Sequence, residues 1–210
     1  MTLPARLEPL YAQYDHALGR LLERLDGGPS GGFDSGNGTR IPVPPLTDAE
    51  LLWEPVPGCW SVRRHADGPG ERASLLTGAG EWGRDATPPP HPAPPPFTTL
   101  AWRLDHLVEM LTLRADHTVG TRSLTREDHR PRGTAKEAVD ALRTAGEAWR
   151  AALLAADDTA LDTIGHSRYP YGSDPEDPFV ETVWWVNQEV LHHGAEIALL
   201  RDLHRGRAGS

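Results

Sequence analysis

The chain of 210 residues contains a single cysteine, Cys59. One cysteine cannot form an intramolecular disulfide, so a disulfide-stabilised fold is excluded and a reducing, cytoplasmic location is expected. Lysine is equally scarce, since Lys136 is the only one. The sequence has no cluster of lysines or arginines that could bind a nucleic-acid phosphate backbone, and its net charge is −9. Nucleic-acid binding is therefore not expected.

Long apolar runs are also missing. No stretch of about 18 apolar residues occurs, which predicts no membrane-spanning helix and no membrane partner. Residues 2–8 lack the apolar segment of a secretory signal peptide. Glycine-rich phosphate-binding loops and the Gly-x-Ser-x-Gly nucleophile motif are absent too. Sustained period-two alternation is not found, so no sheet is predicted beyond a short hairpin around Cys59–Val62 or Ala73–Leu76.

What the sequence does contain is four long stretches with apolar residues at three- and four-residue steps, the pattern of amphipathic helices. They predict helices over roughly Pro4–Leu25, Leu100–Val119, Thr134–Ala156 and Pro178–Arg205. A short helix is predicted over Thr47–Trp53, because Thr47 and Glu50 have capping-box spacing. The fold class predicted is all-α, a four-helix bundle with a long crossover between helices one and two.

One domain is expected to span residues 1–210. Two segments rich in glycine or proline, residues 27–45 and 83–97, are predicted to be flexible loops. The second contains seven prolines between Pro88 and Pro96 and cannot be helical there.

Histidines on the second and fourth predicted helices are the candidate site residues, because metal sites in bundles are built from side chains on facing helices. His106 lies among leucines on helix two, and His192 and His193 are adjacent on helix four. Neighbouring helical residues point about 100° apart, so only one of that pair can face a common centre. Two rotations of helix four are therefore considered. Either Gln188 and His192 face the site, or Glu189 and His193 do, and the members of each pair lie four residues apart on one face.

Other side chains are expected around this site. Trp102 and Trp185 are expected to line its pocket, and Glu109, three residues after His106, can support or replace a ligand. Cys59 is expected to be an inert packing residue. The histidines in polar or proline-rich segments are expected at the surface, and they are His65, His91, His117, His129 and His166.

Three short motifs, in this order, resemble those of a known family. Pro57–Arg63 is similar to a Gly-x-Trp-Ser-x-Arg turn, Trp102–Leu107 to a second-helix histidine box, and Glu189–Ile197 to a last-helix His-x-Gly box. With the helix order, they make the chain resemble the DinB-like (DinB/YfiT-like) superfamily of bacterial four-helix bundles. Residues 64–97 are expected to be an insertion, since the turn and the second helix are nearly adjacent in most of the family.

The resemblance implies a divalent ion, zinc or nickel, held by one histidine on helix two and two histidines, four residues apart, on helix four. Carried over, His106 matches the first ligand and His192 the last, because Gly194 follows it by two residues. The middle position is then Gln188. An amide oxygen is a poor ligand for zinc or nickel, so weak metal binding is expected in this register.

The resemblance also implies thiol-linked chemistry on a small molecule. Relatives transfer or isomerise groups with a low-molecular-weight thiol such as mycothiol, bacillithiol or glutathione, and a metal would lower the pKa of that thiol. On this interpretation the chain is a metal-dependent transferase or isomerase. The alternatives are a metal-free small-molecule-binding protein with a degenerate three-histidine site, and a dimeric scaffold without a ligand. A homodimer is among the expected assemblies.

Overall fold

The computed structural model of the chain describes residues 3–28, 33–34, 40–41, 43–90, 92–168 and 176–208. The protein is mostly helical. Its long helices are α1 (Glu8–Asp26), α3 (Leu100–Val119), α4 (Ala135–Leu154) and α6 (Phe179–Ala208), and its short ones are α2 (Asp48–Leu51) and α5 (Asp158–Asp162). The predicted spans agree with these to within a few residues. Within the described ranges, no helix is long and apolar enough to cross a membrane.

The four long helices share one core. α1 and α3 each pack against both α4 and α6. The apolar stripes that predicted the helices face inward, and Trp149 of α4 is fully buried, edge-on to Phe179 of α6 with ring centroids 6.0 Å apart. Packing of these amphipathic faces, rather than helix propensity alone, stabilises helices of this length.

Side-chain caps explain where several helices begin. Thr47 and Glu50 form the predicted capping box of α2. Thr99 caps α3 by accepting a hydrogen bond from the Trp102 amide, and Thr134 caps α4 in the same way. Each cap satisfies a backbone N–H that the first helical turn leaves without a partner.

The connection between α1 and α3 contains more strands than the short hairpin that the sequence predicted. β1 (Phe33–Asp34) pairs with β2 (Arg40–Ile41). Of the loop predicted over residues 27–45, positions 29–32, 35–39 and 42 lie outside the described residues. β3 (Val62–Arg64), β4 (Leu75–Thr77) and β5 (Trp82–Ala86) form an antiparallel sheet in the order β3-β5-β4. The two segments predicted for a short hairpin, Cys59–Val62 and Ala73–Leu76, overlap β3 and β4. The three-stranded sheet and β5 were not predicted, because strands of three to five residues are too short to display alternation. Residues 83–86, predicted as loop, belong to β5.

A buried carboxylate, Asp85, holds this sheet together. Its oxygens accept hydrogen bonds from the Ser61 amide, the Gly70 amide and Nε of Arg63, each at 2.8 Å. Two of these donors belong to the Gly-x-Trp-Ser-x-Arg turn. The backbone carbonyl of Asp85 accepts a further hydrogen bond from the Trp102 indole at 3.0 Å. The sheet is thereby attached to the face of α3 that carries His106.

Candidate metal-binding site

Three side chains converge where α3 packs against α6. Nε2 of His106 lies 3.1 Å from Oε2 of Glu189, and Nε2 of His193 lies 3.4 Å from the same oxygen. One donor atom from each of the three residues lies within 4.8 Å of the other two, so this group could hold a metal ion. The side chains are 21%, 16% and 13% exposed in that order, which leaves the group reachable from solvent.

The other register of α6 points away from His106. Gln188 is exposed, and the His192 side chain is 58% exposed and contacts Glu196 at 3.3 Å. The ligand set implied by the resemblance, in which Gln188 and His192 join His106, is therefore not the one found. The physical reason is the buried stripe of α6, formed by Val183, Val186, Val190, Ile197 and Leu200, which sets the rotation of the helix. Positions 189 and 193 border that stripe, whereas positions 188 and 192 lie opposite to it.

His193 has a carboxylate at each ring nitrogen. Nε2 faces Glu189, and Nδ1 lies 2.7 Å from Oε2 of Glu196, which also pairs with Arg103. A neutral imidazole carries only one N–H. It can donate to both carboxylates only if the ring takes a second proton. The alternative is that Nδ1–H donates to Glu196 while the Nε2 lone pair is free for a cation, the usual arrangement of a metal-bound histidine.

The protonation states of the other two donors suit a metal ion. Burial lowers the pKa of His106, and the charges of Arg84 and His193 lower it further, against the opposing effect of Glu189. Hydrogen bonds from His106 and His193 hold the pKa of Glu189 far below its usual range. At neutral pH the pair is thus a neutral imidazole and a carboxylate. An ion bound at Nε2 of His106 would replace the hydrogen bond to Glu189, and the ring would then carry its proton on Nδ1.

The distances also fit an ion. Two donors, each about 2.1 Å from a tetrahedral ion, lie about 3.4 Å apart. The two contacts to Glu189, at 3.1 and 3.4 Å, need little adjustment to meet that separation. Two histidines and a glutamate form a donor set that catalytic zinc sites use, and three protein ligands leave a position open for another molecule.

The ring of His106 is supported by a strand from the connection between α1 and α3. Trp102, one turn earlier on α3, stacks on His106 with ring centroids 5.5 Å apart and planes 16° apart. The Arg84 guanidinium of β5 lies 5.3 Å from the centroid of the same indole. Arg84 in turn pairs with Asp105 at 3.2 Å and with Glu109. Strand β5 therefore supports the site through Trp102.

Two expectations are corrected by this network. Glu109 was expected beside His106 as a ligand or its support, but it is buried against Arg84 and Arg126 and is not among the three converging residues. His129 was expected at the surface, but its side chain is only 7% exposed and bonds Asp105 at 2.8 Å. The polar sequence around His129 suggested exposure, but the buried carboxylate of Asp105 on α3 supplies a hydrogen-bond partner that allows the histidine to be buried.

The remaining predicted residues lie at or beyond the edge of the site. Trp185, one turn before Glu189, is half-buried, and the guanidinium of Arg114 lies 5.0 Å from its ring centroid. Cys59 is buried, and its thiol donates to the carbonyl of Val56 at 2.8 Å. Burial raises the pKa of this thiol, which disfavours the reactive thiolate.

A histidine on one helix facing a glutamate and a histidine on another defines a helical protein with a candidate metal centre. The sequence model described as the DinB superfamily matches residues 72–197, more than half of the chain. The chain belongs to the DinB superfamily. The matched segment includes His106, Glu189 and His193. No curated protein and no solved structure matches the chain.

Proposed function

We propose that this DinB-superfamily protein is a divalent-metal-dependent enzyme whose ion is held by Nε2 of His106, Nε2 of His193 and the carboxylate of Glu189. The observation that carries the proposal is the placement of His193 between two carboxylates. One carboxylate orients the ring through Nδ1, and the other sits beside Nε2 at metal-site spacing. On this proposal Glu189 takes the place that a histidine has in the three-histidine pattern implied by the resemblance.

The four long helices are proposed to be the superfamily's bundle, with residues 1–210 as one domain. α3 and α6 supply the three ligands, and the sheet of β3, β4 and β5 supports α3 from outside. This arrangement explains why Trp102 and Arg84 lie behind His106 rather than in the core of the bundle.

The proposed reaction is group transfer to, or isomerisation of, a small molecule with a low-molecular-weight thiol. A bound divalent ion would lower the pKa of a thiol so that the thiolate forms at neutral pH. The protein's own part is to keep the donors deprotonated and oriented. Glu196 fixes the tautomer of His193, and Trp102 fixes the ring plane of His106.

Zinc or nickel is the proposed ion, because imidazole suits both metals and zinc also accepts a carboxylate. The test is elemental analysis of protein purified without a histidine tag, followed by thiol titration of the protein loaded with cobalt(II), a spectroscopic substitute for zinc. We expect about one equivalent of zinc or nickel and a thiolate-to-cobalt absorption band. Protein that neither carries nor takes up a divalent ion would contradict the proposal.

The alternative, a metal-free small-molecule-binding protein, rested on Gln188 standing at a ligand position. Gln188 is exposed on the outer face of α6, whereas Glu189 lies beside His106. The position of Gln188 therefore gives no support to the metal-free alternative.

A homodimer is proposed through the outer face of α6. This helix is apolar on two sides, and a helix of that kind is normally covered on both. Its exposed large apolar side chains follow one stripe, formed by Trp184, Leu191, Leu199 and Leu203. Glu181 lies near the amino end of the stripe, and Arg20 of α1 lines the same groove as Ala198 of α6. A two-fold axis that packs two copies antiparallel would pair these opposite charges.

Light scattering after size exclusion tests the dimer. We expect a dimer for the unaltered chain and a monomer for Leu199→Glu. Leu154→Glu is the control, because Leu154 is exposed at the end of α4, away from this stripe. A monomeric unaltered chain at micromolar concentration would contradict the proposal.

A further inference from the structure

A groove separate from the candidate metal site lies between α3, α4 and the segment that joins them. Its volume is about 660 Å³, the size of a small-molecule site. Its floor is apolar and is formed by Val108 of α3 with Ala141 and Ala145 of α4. Val108 follows Asp105 by three positions, so both lie on the face of α3 that is turned to this groove. His106 is rotated by about 100° from Asp105 and faces α6 instead.

A nearly buried imidazole lines the groove. The side chain of His129, in the joining segment, is 7% exposed, and its Nε2 lies 2.8 Å from Oδ1 of Asp105. Asp105 also pairs with Arg84 at 3.2 Å, as expected of a carboxylate. A carboxylate only accepts hydrogen bonds, so Nε2 of His129 carries the proton and donates it. In the neutral ring the lone pair then lies on Nδ1.

This Nδ1 atom is an acceptor without a donor. It forms no hydrogen bond with any described residue. It also keeps accessible surface, because the enclosed side-chain nitrogens that lack a partner do not include it. A polar atom of so buried a side chain normally has a partner. A molecule bound in the groove can supply the missing donor.

Charges of both signs surround the groove. Arg130 and Arg132 are exposed, line it, and form no ion pair or hydrogen bond with a described residue. Three carboxylates also line it, those of Asp128, Glu137 and Asp140. Two cations and three anions do not favour a ligand with a single charge. They favour a molecule that carries both signs.

We propose that this groove binds a zwitterionic amino acid with an apolar side chain. The ammonium group has only donors, and it donates to Nδ1 of His129. The carboxylate accepts hydrogen bonds from Arg130 and Arg132, because a guanidinium presents its N–H groups in a planar fork that matches it. The apolar side chain lies on the floor at Val108 and Ala141. The site is independent of the ion proposed at His106.

The test compares L-leucine with molecules that each lack one of its features. 3-Methylbutylamine lacks the carboxylate, 4-methylpentanoate lacks the ammonium group, and N-trimethylated leucine keeps both charges but has no N–H. Each is titrated into the unaltered chain while backbone amide NMR signals are recorded. We expect leucine to shift the signals of Val108, Ala141 and Ala145. It should bind about tenfold tighter or more than each of the three analogues, the size of a charge-assisted hydrogen bond.

Two results on the unaltered chain would overturn the proposal. One is leucine that binds no tighter than either single-charge analogue. The other is trimethylated leucine that binds as tightly as leucine, because a ligand without a donor cannot satisfy Nδ1 of His129. This comparison does not depend on any variant, so a variant that fails to fold leaves the proposal falsifiable.

Three variants locate the contacts. The double variant Arg130→Gln with Arg132→Gln should lose the preference for leucine over 3-methylbutylamine and keep the affinity for the amine. Arg143→Gln is the matched control, because Arg143 of α4 pairs with Asp26 outside the groove, and it should bind leucine as the unaltered chain does. His193→Ala lacks a proposed metal ligand and should also bind leucine normally. Loss of leucine binding in His193→Ala would place the amino acid at the metal site and overturn the proposal.

Discussion

Nε2 of His106 and Oε2 of Glu189 lie 3.1 Å apart although 83 positions separate the two residues in the chain. The contact joins α3 to the face of α6 that borders its buried apolar stripe. With Glu189 in place, His193 follows one turn later on the same face. The proposed metal centre depends on this one pairing, and so does the assignment of Gln188 and His192 to the outer surface.

The indole behind His106 should affect metal affinity. Trp102→Ala removes the stacked ring and its hydrogen bond to Asp85, so we expect zinc affinity to fall about tenfold or more, as for other groups that orient a ligand. Trp102→Phe keeps an aromatic ring in place, so its zinc affinity should fall less. Calorimetric titration measures both. Trp184→Ala is the control, since Trp184 is exposed on the outer face of α6, and equal losses in the two alanine variants would contradict the positioning role.

The fold was largely predictable because its signals are local. Apolar residues at helical spacing identify the long helices, and capping pairs such as Thr47 and Glu50 locate helix starts to within a residue. The three-stranded sheet was not predicted beyond a short hairpin, because its strands are short and because Asp85, a buried carboxylate, binds the backbone amides of Ser61 and Gly70, which lie 24 and 15 positions away in the chain. No local sequence pattern identifies a hydrogen-bond partner that lies so far away in the chain.

The site was predictable only in part. His106 was recognisable from its apolar surroundings and from the family motif, but the rotation of α6 was not. That helix is apolar on two sides, so the pattern does not say which side faces inward, and an error of one position exchanges Glu189 and His193 for Gln188 and His192. The supporting residue Arg84 could not be found from the sequence, because a strand outside the helical pattern supplies it.

Loss of the buried ion pair at Arg201 should destabilise the fold. Arg201 is fully buried and binds Glu50 on α2 at 3.2 Å. Arg201→Ala removes the guanidinium that bonds both oxygens of the buried Glu50 carboxylate and leaves only the contact of Nε of Arg205 at 3.7 Å, so we expect the free energy of unfolding to fall by about 3–5 kcal/mol. Urea denaturation measures this. Arg143→Ala removes an exposed pair with Asp26 and should cost less than about 1 kcal/mol. Similar losses for both variants would contradict the burial argument.

Two helical glycines should respond to alanine in opposite directions. At Gly146 of α4 an added Cβ would lie 2.3 Å from a methyl carbon of the buried Leu18, so overpacking should outweigh the gain in helix propensity. At Gly19 of α1 an added Cβ meets nothing within 4 Å. We expect Gly146→Ala to lower the thermal midpoint and Gly19→Ala to raise stability by about 1 kcal/mol. Thermal unfolding measures the midpoint of both variants. A higher midpoint for Gly146→Ala would contradict close packing of α1 on α4.

Acid should weaken the turn after α3. Burial raises the pKa of Asp116, but hydrogen bonds from Leu124, Thr121 and Ser123 outweigh that effect and lower it. Because the folded-state pKa lies below the unfolded one, this carboxylate contributes stability above the unfolded value of about 3.9. That contribution is lost as the pH falls through the folded value. Asp116→Asn should therefore lower stability at pH 7 by about 1–2 kcal/mol and reduce its loss toward pH 3. Denaturation at several pH values measures this, and parallel curves for the two proteins would contradict it.

The most direct test of the metal proposal compares two adjacent histidines. Zinc is titrated calorimetrically into the unaltered chain, His193→Ala and His192→Ala. His193 lies beside Glu189, whereas His192 is exposed and points outward, so the two variants differ in facing rather than in chemistry. We predict one zinc site in the unaltered chain, a site of similar affinity in His192→Ala, and no detectable site in His193→Ala. If His192→Ala abolishes zinc binding and His193→Ala preserves it, the assignment of Glu189 and His193 as ligands is wrong.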